Sequence, residues 1–348
     1  MSYTKIIEKV QELLTNNTEW EARYEKYMAN YEKFNTSGKK VFLTAQKQFL
    51  VPTHFALYMP ISLVNDCNSR TIFFELRFHG QSVALIRVHW RKGQFNKNVE
   101  LFIKKSETVY NALCELQLTD FAEKFKELWK KCVSWNSSSE AKSFREIYLK
   151  LERELKNNPT VKLKGQPEHE MESELLRIFS EKSTTKKDIS YIQPVKIPYT
   201  KARFQMPTPI TASEAKNGAD KIKYSGENGG GIDILARVGR GSHATLAILE
   251  LKDQNIKSEP PERAINQAIA YATFIRELLR SEIGQKWWKF FGFSGNLPNT
   301  LKLKAIIVMP NENNPSKSFA KTSLGFNDGT NDAIELGYIY RDPLECDF

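Results

Sequence analysis

The 348-residue chain is predicted to be an α/β protein with a mixed sheet, divided into two domains. Apolar residues alternate with a period of two through residues 71–105, which is typical of antiparallel strands. Residues 171–310 follow the order helix, extended segment, hairpin, helix and buried strand. Between them, residues 157–170 contain proline, glycine and polar residues without a period. We therefore expect an α+β domain at residues 1–160 and a second domain at residues 166–348.

The first domain is expected to hold an antiparallel meander accompanied by helices. Near the start of the chain, apolar residues recur at three- and four-residue steps, as on a helix face. Further along, they alternate with polar residues between turn signals. The helices are predicted at residues 2–34, 119–133 and 141–157, and the strands at residues 71–78, 83–90 and 99–105.

Positive charge is concentrated in this domain. The formal net charge of the chain is +10, and residues 1–165 hold 27 Lys and Arg against 18 Asp and Glu. Such a surplus favours a polyanion as partner, because basic side chains neutralise phosphates. Alternation along the strands places a group of basic residues on one face of the sheet. That face either lies along a phosphate backbone or is simply exposed to solvent. The candidates for nucleic-acid binding are Arg77, Arg87, His89 and Arg91.

Several protein classes are not expected. No apolar run approaches the ~20 residues of a membrane span, and the start of the chain lacks the layout of a signal peptide. The four cysteines are far apart, which excludes a zinc ribbon and makes a disulfide framework unexpected. No P-loop is present, so no nucleotide cofactor is expected in this chain. These features are typical of a cytoplasmic protein.

The second domain is expected to have a mixed sheet. A helix comes first, followed by an extended stretch rich in proline and threonine and by a hairpin whose two strands are apolar. A long helix begins after a proline pair, which is a common helix-start signal. The segments are a helix at residues 171–182, an extended stretch at 190–212, a hairpin at 229–252, a helix at 262–280 and strands at 303–310 and 333–340.

The hairpin carries the strongest chemical signal. If Val238 pairs with Thr245 across the loop, the same register places Asp233 directly opposite Glu250, and Lys252 is expected on the same face. Two carboxylates that close repel each other unless a cation lies between them. Acidic oxygens suit Mg²⁺ or Mn²⁺, and a lysine can assist an attacking water. The alternative is that these side chains only form ion pairs at the end of a sheet.

The helix after the hairpin adds two residues to this constellation. Gln267 and Tyr271 are four residues apart and therefore share a helix face. That helix follows the strand of Lys252 directly, so Gln267 is expected near the end of the strand. It would hydrogen-bond either a phosphate or Lys252. The alternative is an incidental glutamine beside a packed aromatic ring.

Taken together, the segments GGIDILARV, AILELK and QAIAY resemble the PD-(D/E)xK nuclease superfamily. The Q-x-x-x-Y element resembles the RecB-like exonuclease branch. The resemblance covers residues 170–310 and implies a restriction-endonuclease-like αβββαβ core. It departs from the oldest form of the motif, because no proline precedes Asp233.

The resemblance also implies roles for individual residues. Asp233 and Glu250 would hold the metal, with Lys252, Gln267 and Tyr271 completing the catalytic set. Many members place a further metal-linked glutamate on the first core helix. The candidate here is Glu174, with Glu170 as the alternative.

The resulting hypothesis is a Mg²⁺-dependent deoxyribonuclease, namely a restriction-type or phage-defence endonuclease, in which Mn²⁺ can replace Mg²⁺. Double-stranded DNA is the expected partner, and a homodimer is possible by analogy. One alternative is a catalytically inactive nuclease-fold protein that binds DNA. Another is a nuclease acting on RNA or on branched DNA, since the metal site acts on the phosphate whatever the polymer.

Overall fold

The chain folds into two compact units, which are described separately. We call Met1–Lys26, Met171–Pro198 and Gln205–Phe348 the core unit, and Tyr27–Glu170 with Tyr199–Phe204 the inserted unit. The computed structural model describes residues 3–33, 35, 55–58, 61, 71–78, 81–91, 94–103, 171–172, 174–176, 178–179, 191–197, 203–252, 260–310, 322–341 and 345–347.

The inserted unit contains a four-stranded sheet whose order follows the sequence. Every neighbouring pair is antiparallel, so the predicted meander is confirmed, with an additional strand at its start. The helices predicted at residues 119–133 and 141–157 lie outside the described residues. The strands are β1 (Phe55–Tyr58), β2 (Thr71–Phe78), β3 (Gln81–Arg91) and β4 (Gln94–Ile103).

The core unit is built on a seven-stranded sheet. Its central strands pair in parallel and its outer strands pair antiparallel, which confirms the predicted α/β class with a mixed sheet. Its strands are β5 (Ile192–Pro194), β10 (Ile234–Val238), β11 (Thr245–Leu251), β12 (Lys302–Pro310), β13 (Ser323–Gly325), β14 (Ala333–Arg341) and β15 (Glu345–Asp347). The strand order is β13, β14, β12, β11, β10 and β5, and β15 also pairs with β14.

Two short ribbons lie beside this sheet in the chain segment that leads to the hairpin. In each ribbon, an early strand pairs antiparallel with a later one, so the segment folds back on itself before β10 begins. The pairs are β6 (Met206–Pro207) with β9 (Gly231–Ile232), and β7 (Ile210–Thr211) with β8 (Lys223–Tyr224).

Helices cover both faces of the core sheet. The described residues of 171–179 are helical, and their apolar side chains join one core cluster with Ile234, Leu249 and Ile306. The opposite face of β11 and β12 contacts the helix of Pro261–Arg280. This helix begins at a proline, which is favoured there because a residue in the first helical turn needs no N–H partner. None of the helices in the described residues is long and apolar enough to cross a membrane. Among the described residues, the complete α-helices are α1 (Thr4–Thr15), α2 (Glu19–Lys33), α3 (Pro261–Arg280) and α4 (Gly284–Phe290).

The start of the chain packs on α3. The ring of Trp20 lies 5.9 Å from that of Phe274, and Tyr24 contacts both Phe274 and Trp287. The Tyr24 hydroxyl also donates a hydrogen bond of 2.6 Å to the Pro207 carbonyl. The sequence predicts one helix at the start of the first domain, whereas the structure has two helices, of which α1 and the start of α2 belong to the core unit. An apolar stripe shows that a helix face is buried, but it does not show which surface covers it.

Candidate active site

The hairpin of β10 and β11 has the predicted register. Val238 pairs with Thr245, and the ladder continues in the same register to Ile234 and Leu249. Asp233 and Glu250 are the next opposed positions, at the end of the hairpin away from the loop. The Leu251 N–H donates a 2.9 Å hydrogen bond to Asp233 Oδ2, which fixes this carboxylate against β11.

Glu250 is a completely buried carboxylate. Its exposed fraction is 0%, and neither of its oxygens makes a well-formed hydrogen bond among the described residues, so the polar groups that act on it are those of Asp233 and Lys252. Burial raises the pKa of Glu250 well above its ordinary value, and the negative charge of Asp233 raises it further. Lys252 lowers the pKa in part. A buried ionised carboxylate beside a second carboxylate is costly, so this position holds either a proton or a cation.

Lys252 is held from the neighbouring helix. Its Nζ donates a 2.9 Å hydrogen bond to Gln267 Oε1, and its backbone N–H extends the ladder to the Val308 carbonyl at 2.9 Å. Of the two partners that the sequence leaves open for Gln267, the structure therefore shows the lysine. Gln267 orients the ammonium group and keeps it beside the two carboxylates.

Tyr271 lies one helical turn beyond Gln267 and is 2% exposed. Burial raises the pKa of its phenol, as does the negative charge of Glu250, while a hydrogen bond with Gln267 opposes these effects. The phenol is therefore protonated at neutral pH. The structure thus brings Tyr271 together with the four other residues of the predicted catalytic set.

The glycine run before Asp233 has a structural reason. A Cβ on Gly229 would overlap the backbone of Thr208, and a Cβ on Gly230 would overlap the hydroxyl of Tyr271. The Thr208 N–H donates to the Gly230 carbonyl at 2.8 Å, and the Gly230 N–H donates to the Ile210 carbonyl at 3.0 Å. The close approach of the two backbone segments therefore positions the segment that carries Asp233. No pattern in the sequence predicts the contact with Thr208.

The metal-linked role of Glu174 or Glu170 near the first core helix stays a prediction. Glu174 is exposed, and Glu170 lies outside the described residues. Glu172 is instead the buried glutamate of this helix, with an exposed fraction of 2%. Its spacing from Leu176 and Phe179, at four and seven residues, places it in the apolar stripe. That spacing is the signal that could have identified it.

The predicted phosphate-binding face lies on the sheet of the inserted unit. Arg87 is paired in the register with Glu100, so an acidic position neighbours a basic one. A register shift between Val88 and Trp90 interrupts the simple alternation on which the prediction depends. Phosphate binding by this face stays a prediction. Its positions are Arg77 on β2 and Arg87, His89 and Arg91 on β3.

The donor set is compatible with a hard divalent cation. Within the described residues, no group of three or more His, Cys, Asp or Glu is arranged to hold a metal. The opposed pair of Asp233 and Glu250 supplies two carboxylates. Mg²⁺ is commonly bound by one or two carboxylates and completes its octahedron with water and substrate phosphate. The two opposed carboxyl groups therefore fit this ion, whereas zinc prefers nitrogen and sulfur ligands.

Comparison of the chain with protein-family models, with curated proteins and with solved structures found no match.

Proposed function

We propose that this protein is a metal-dependent nuclease that hydrolyses phosphodiester bonds of DNA, with the restriction-endonuclease-like core that the sequence resemblance implies. The observation that carries the proposal is the pair of carboxyl groups of Asp233 and Glu250, which are the next opposed positions in the hairpin register, with Glu250 fully buried and accompanied by Lys252. An apolar strand does not tolerate such a group for stability alone, because an uncompensated buried charge costs several kcal/mol.

Asp233 and Glu250 would hold Mg²⁺, or Mn²⁺ in its place. When bound, the ion supplies Lewis-acid polarisation of the phosphate and lowers the pKa of water. The carboxylates contribute position and charge: Asp233 is oriented by the Leu251 N–H at 2.9 Å, and Glu250 is fixed by its burial within β11. Two rigid acidic ligands leave the remaining coordination positions to water and substrate, as hydrolysis requires.

Lys252 would act on the attacking water and on the phosphate. Its ammonium group offsets negative charge that develops on the phosphoryl oxygens and orients or helps deprotonate the water. The hydrogen bond to Gln267 leaves ammonium protons for these contacts, because Lys has three donors and Gln267 uses one. Tyr271 supports the same site, because its hydroxyl lies against Gly230 in the glycine run that precedes Asp233.

DNA is the substrate class that the charge distribution favours. Nearly all of the formal net charge of +10 falls in residues 1–165, and phosphate neutralisation supplies most of non-specific DNA affinity. A basic half in the same chain as a metal-dependent site suits a restriction-type or defence endonuclease, in which one part holds the DNA and the other cuts it.

Cleavage of a substrate panel tests the proposal. Supercoiled plasmid, linear duplex, single-stranded DNA and RNA are each incubated with the protein in Mg²⁺, Mn²⁺ or EDTA. We expect DNA cleavage that requires the metal and that falls at least about 100-fold in Asp233→Asn and Lys252→Ala. Glu335→Gln and Lys304→Ala each remove a partly buried ion pair of 2.8 Å that is not part of the predicted site, and they serve as matched controls.

Each other outcome has a defined meaning. Cleavage of RNA alone would change the substrate class. DNA binding without cleavage in any metal would identify an inactive nuclease-fold protein. Cleavage that survives both substitutions would contradict the assigned site.

A further inference from the structure

A cavity of about 470 Å³ opens at the start of α3, away from the carboxylate pair. Its charged and amide side chains come from two segments of the core unit, a short 3₁₀ turn and the first turns of the helix. Asn266 is 3% exposed and donates a 3.2 Å hydrogen bond to the Ala215 carbonyl, which ties the two segments together. These side chains are Lys216, Asn217, Glu262, Arg263 and Asn266.

The lining carries a net positive charge. Lys216 and Arg263 are cationic, Glu262 is the one acidic residue among the lining side chains, and the others are uncharged. Arg263 is exposed, so its guanidinium group is accessible to a ligand from solvent. Guanidinium, ammonium and amide donors are the groups that proteins use to bind phosphate oxygens.

The cavity is one helical turn from the proposed catalytic residues. Arg263 and Gln267 are four residues apart on α3 and share a helix face, and Gln267 accepts the hydrogen bond of Lys252. One turn advances about 5.4 Å, and a nucleic-acid strand advances about 3.4 Å per nucleotide. A strand with one phosphate at Lys252 therefore reaches the cavity within one or two nucleotides.

We propose that this cavity binds a backbone phosphate of the nucleic-acid strand adjacent to the phosphate that is cleaved, with Lys216 and Arg263 as its cationic contacts. The inference rests on the proposed function. It adds a substrate-binding subsite that is separate from the carboxylate pair and from the basic face of the inserted unit.

Binding in EDTA tests the subsite without cleavage. The affinity for a fluorescent 30-base-pair duplex is measured by anisotropy at several NaCl concentrations between 50 and 200 mM. We expect Lys216→Ala and Arg263→Ala each to weaken binding about 3- to 10-fold and to reduce the salt slope by about 0.9. Glu262→Gln, which removes the acidic residue, is expected to tighten binding. Lys302→Ala, which removes an exposed charge outside the cavity, is the control for net charge.

Additional measurements separate a binding role from a fold defect. Arg263→Lys keeps the charge and should restore most of the salt slope, and urea midpoints should stay unchanged in all variants. Where cleavage is measurable, KM should rise while kcat stays constant, because the contact is away from the reacting phosphate.

Unchanged affinity and salt slope in Lys216→Ala, Arg263→Ala and Glu262→Gln would overturn the subsite. That result is distinguishable from failure of the proposed function, which would be absence of cleavage by the unmodified protein. An effect equal to that of Lys302→Ala would also overturn it, since net charge alone would then explain the loss.

Discussion

Replacing Glu250 by glutamine should stabilise the metal-free protein at neutral pH. The substitution preserves size and removes a charge that is completely buried and lies beside the charge of Asp233. A neutral glutamine and a protonated glutamate cost similar amounts to bury. The two proteins should therefore have similar free energies of unfolding at low pH and diverge as pH rises.

The magnitude follows from proton linkage. Because the pKa of Glu250 is raised in the folded state, the folded protein keeps its proton in a pH range where the unfolded chain has already lost it. The free energy of unfolding therefore falls by about 1.4 kcal/mol per pH unit between the ordinary glutamate pKa and the folded-state pKa. Above the folded-state pKa, the loss is complete and constant. Glu250→Gln lacks this loss, so its advantage grows through the same range.

Urea unfolding at pH 5, 6, 7 and 8 in EDTA measures the difference between the two proteins. In excess Mg²⁺ the order should reverse, because a ligand at 100 times its Kd stabilises the native state by about 2.7 kcal/mol and the variant lacks one carboxylate ligand. Glu335→Gln is the control, since that residue is partly exposed and paired with Lys304. Parallel pH curves for Glu250→Gln and the unmodified protein would refute the assignment of a raised pKa to this residue.

Three further outcomes are expected. Gly230→Ala should lower the free energy of unfolding by about 1–3 kcal/mol in urea, because the new Cβ overlaps the hydroxyl of Tyr271. Adding Tyr271→Phe should restore part of this loss, since the Cβ then approaches only the ring, at 3.2 Å. If the double variant shows no recovery, the hydroxyl is not the obstacle. Asp332→Asn should lower the free energy of unfolding by about 3–5 kcal/mol in the same assay. This buried carboxylate binds the guanidinium groups of two arginines on α3 at 2.5–2.9 Å. A change below about 1 kcal/mol would contradict that role. A fragment of residues 166–348 should bind a hydrophobic dye more strongly than the full chain, because it lacks α1 and α2, which pack on α3. Equal dye binding by the two proteins would count against that packing.

Local pairing was predictable from the sequence because it depends on short-range rules. The hairpin register follows from the loop length and from strand alternation, and it identified Asp233 and Glu250 as opposed positions. The neighbourhood of Lys252 and Gln267 follows from chain continuity, since the helix comes directly after the strand. Both inferences needed only residues within one supersecondary unit.

Long-range packing could not be obtained in the same way. Asp332 binds arginines that are more than 50 residues away in sequence, and no periodic pattern encodes such a pair. The same is true of Trp20 on Phe274. The burial of Glu172 was not predicted for a different reason. Its position in the apolar stripe is visible in the sequence, but a charged residue is normally assigned to the solvent side.

The packing of α1 and α2 on α3 has a consequence for synthesis. Between Thr15 and Arg280 the ribosome must add some 265 residues, which takes roughly 13–50 s at the usual rates of elongation. During that interval the apolar faces of the first two helices lack their contacts with α3, including those of Trp20 and Tyr24 with Phe274. We therefore expect the core unit to complete its folding only after α3 has emerged from the ribosome.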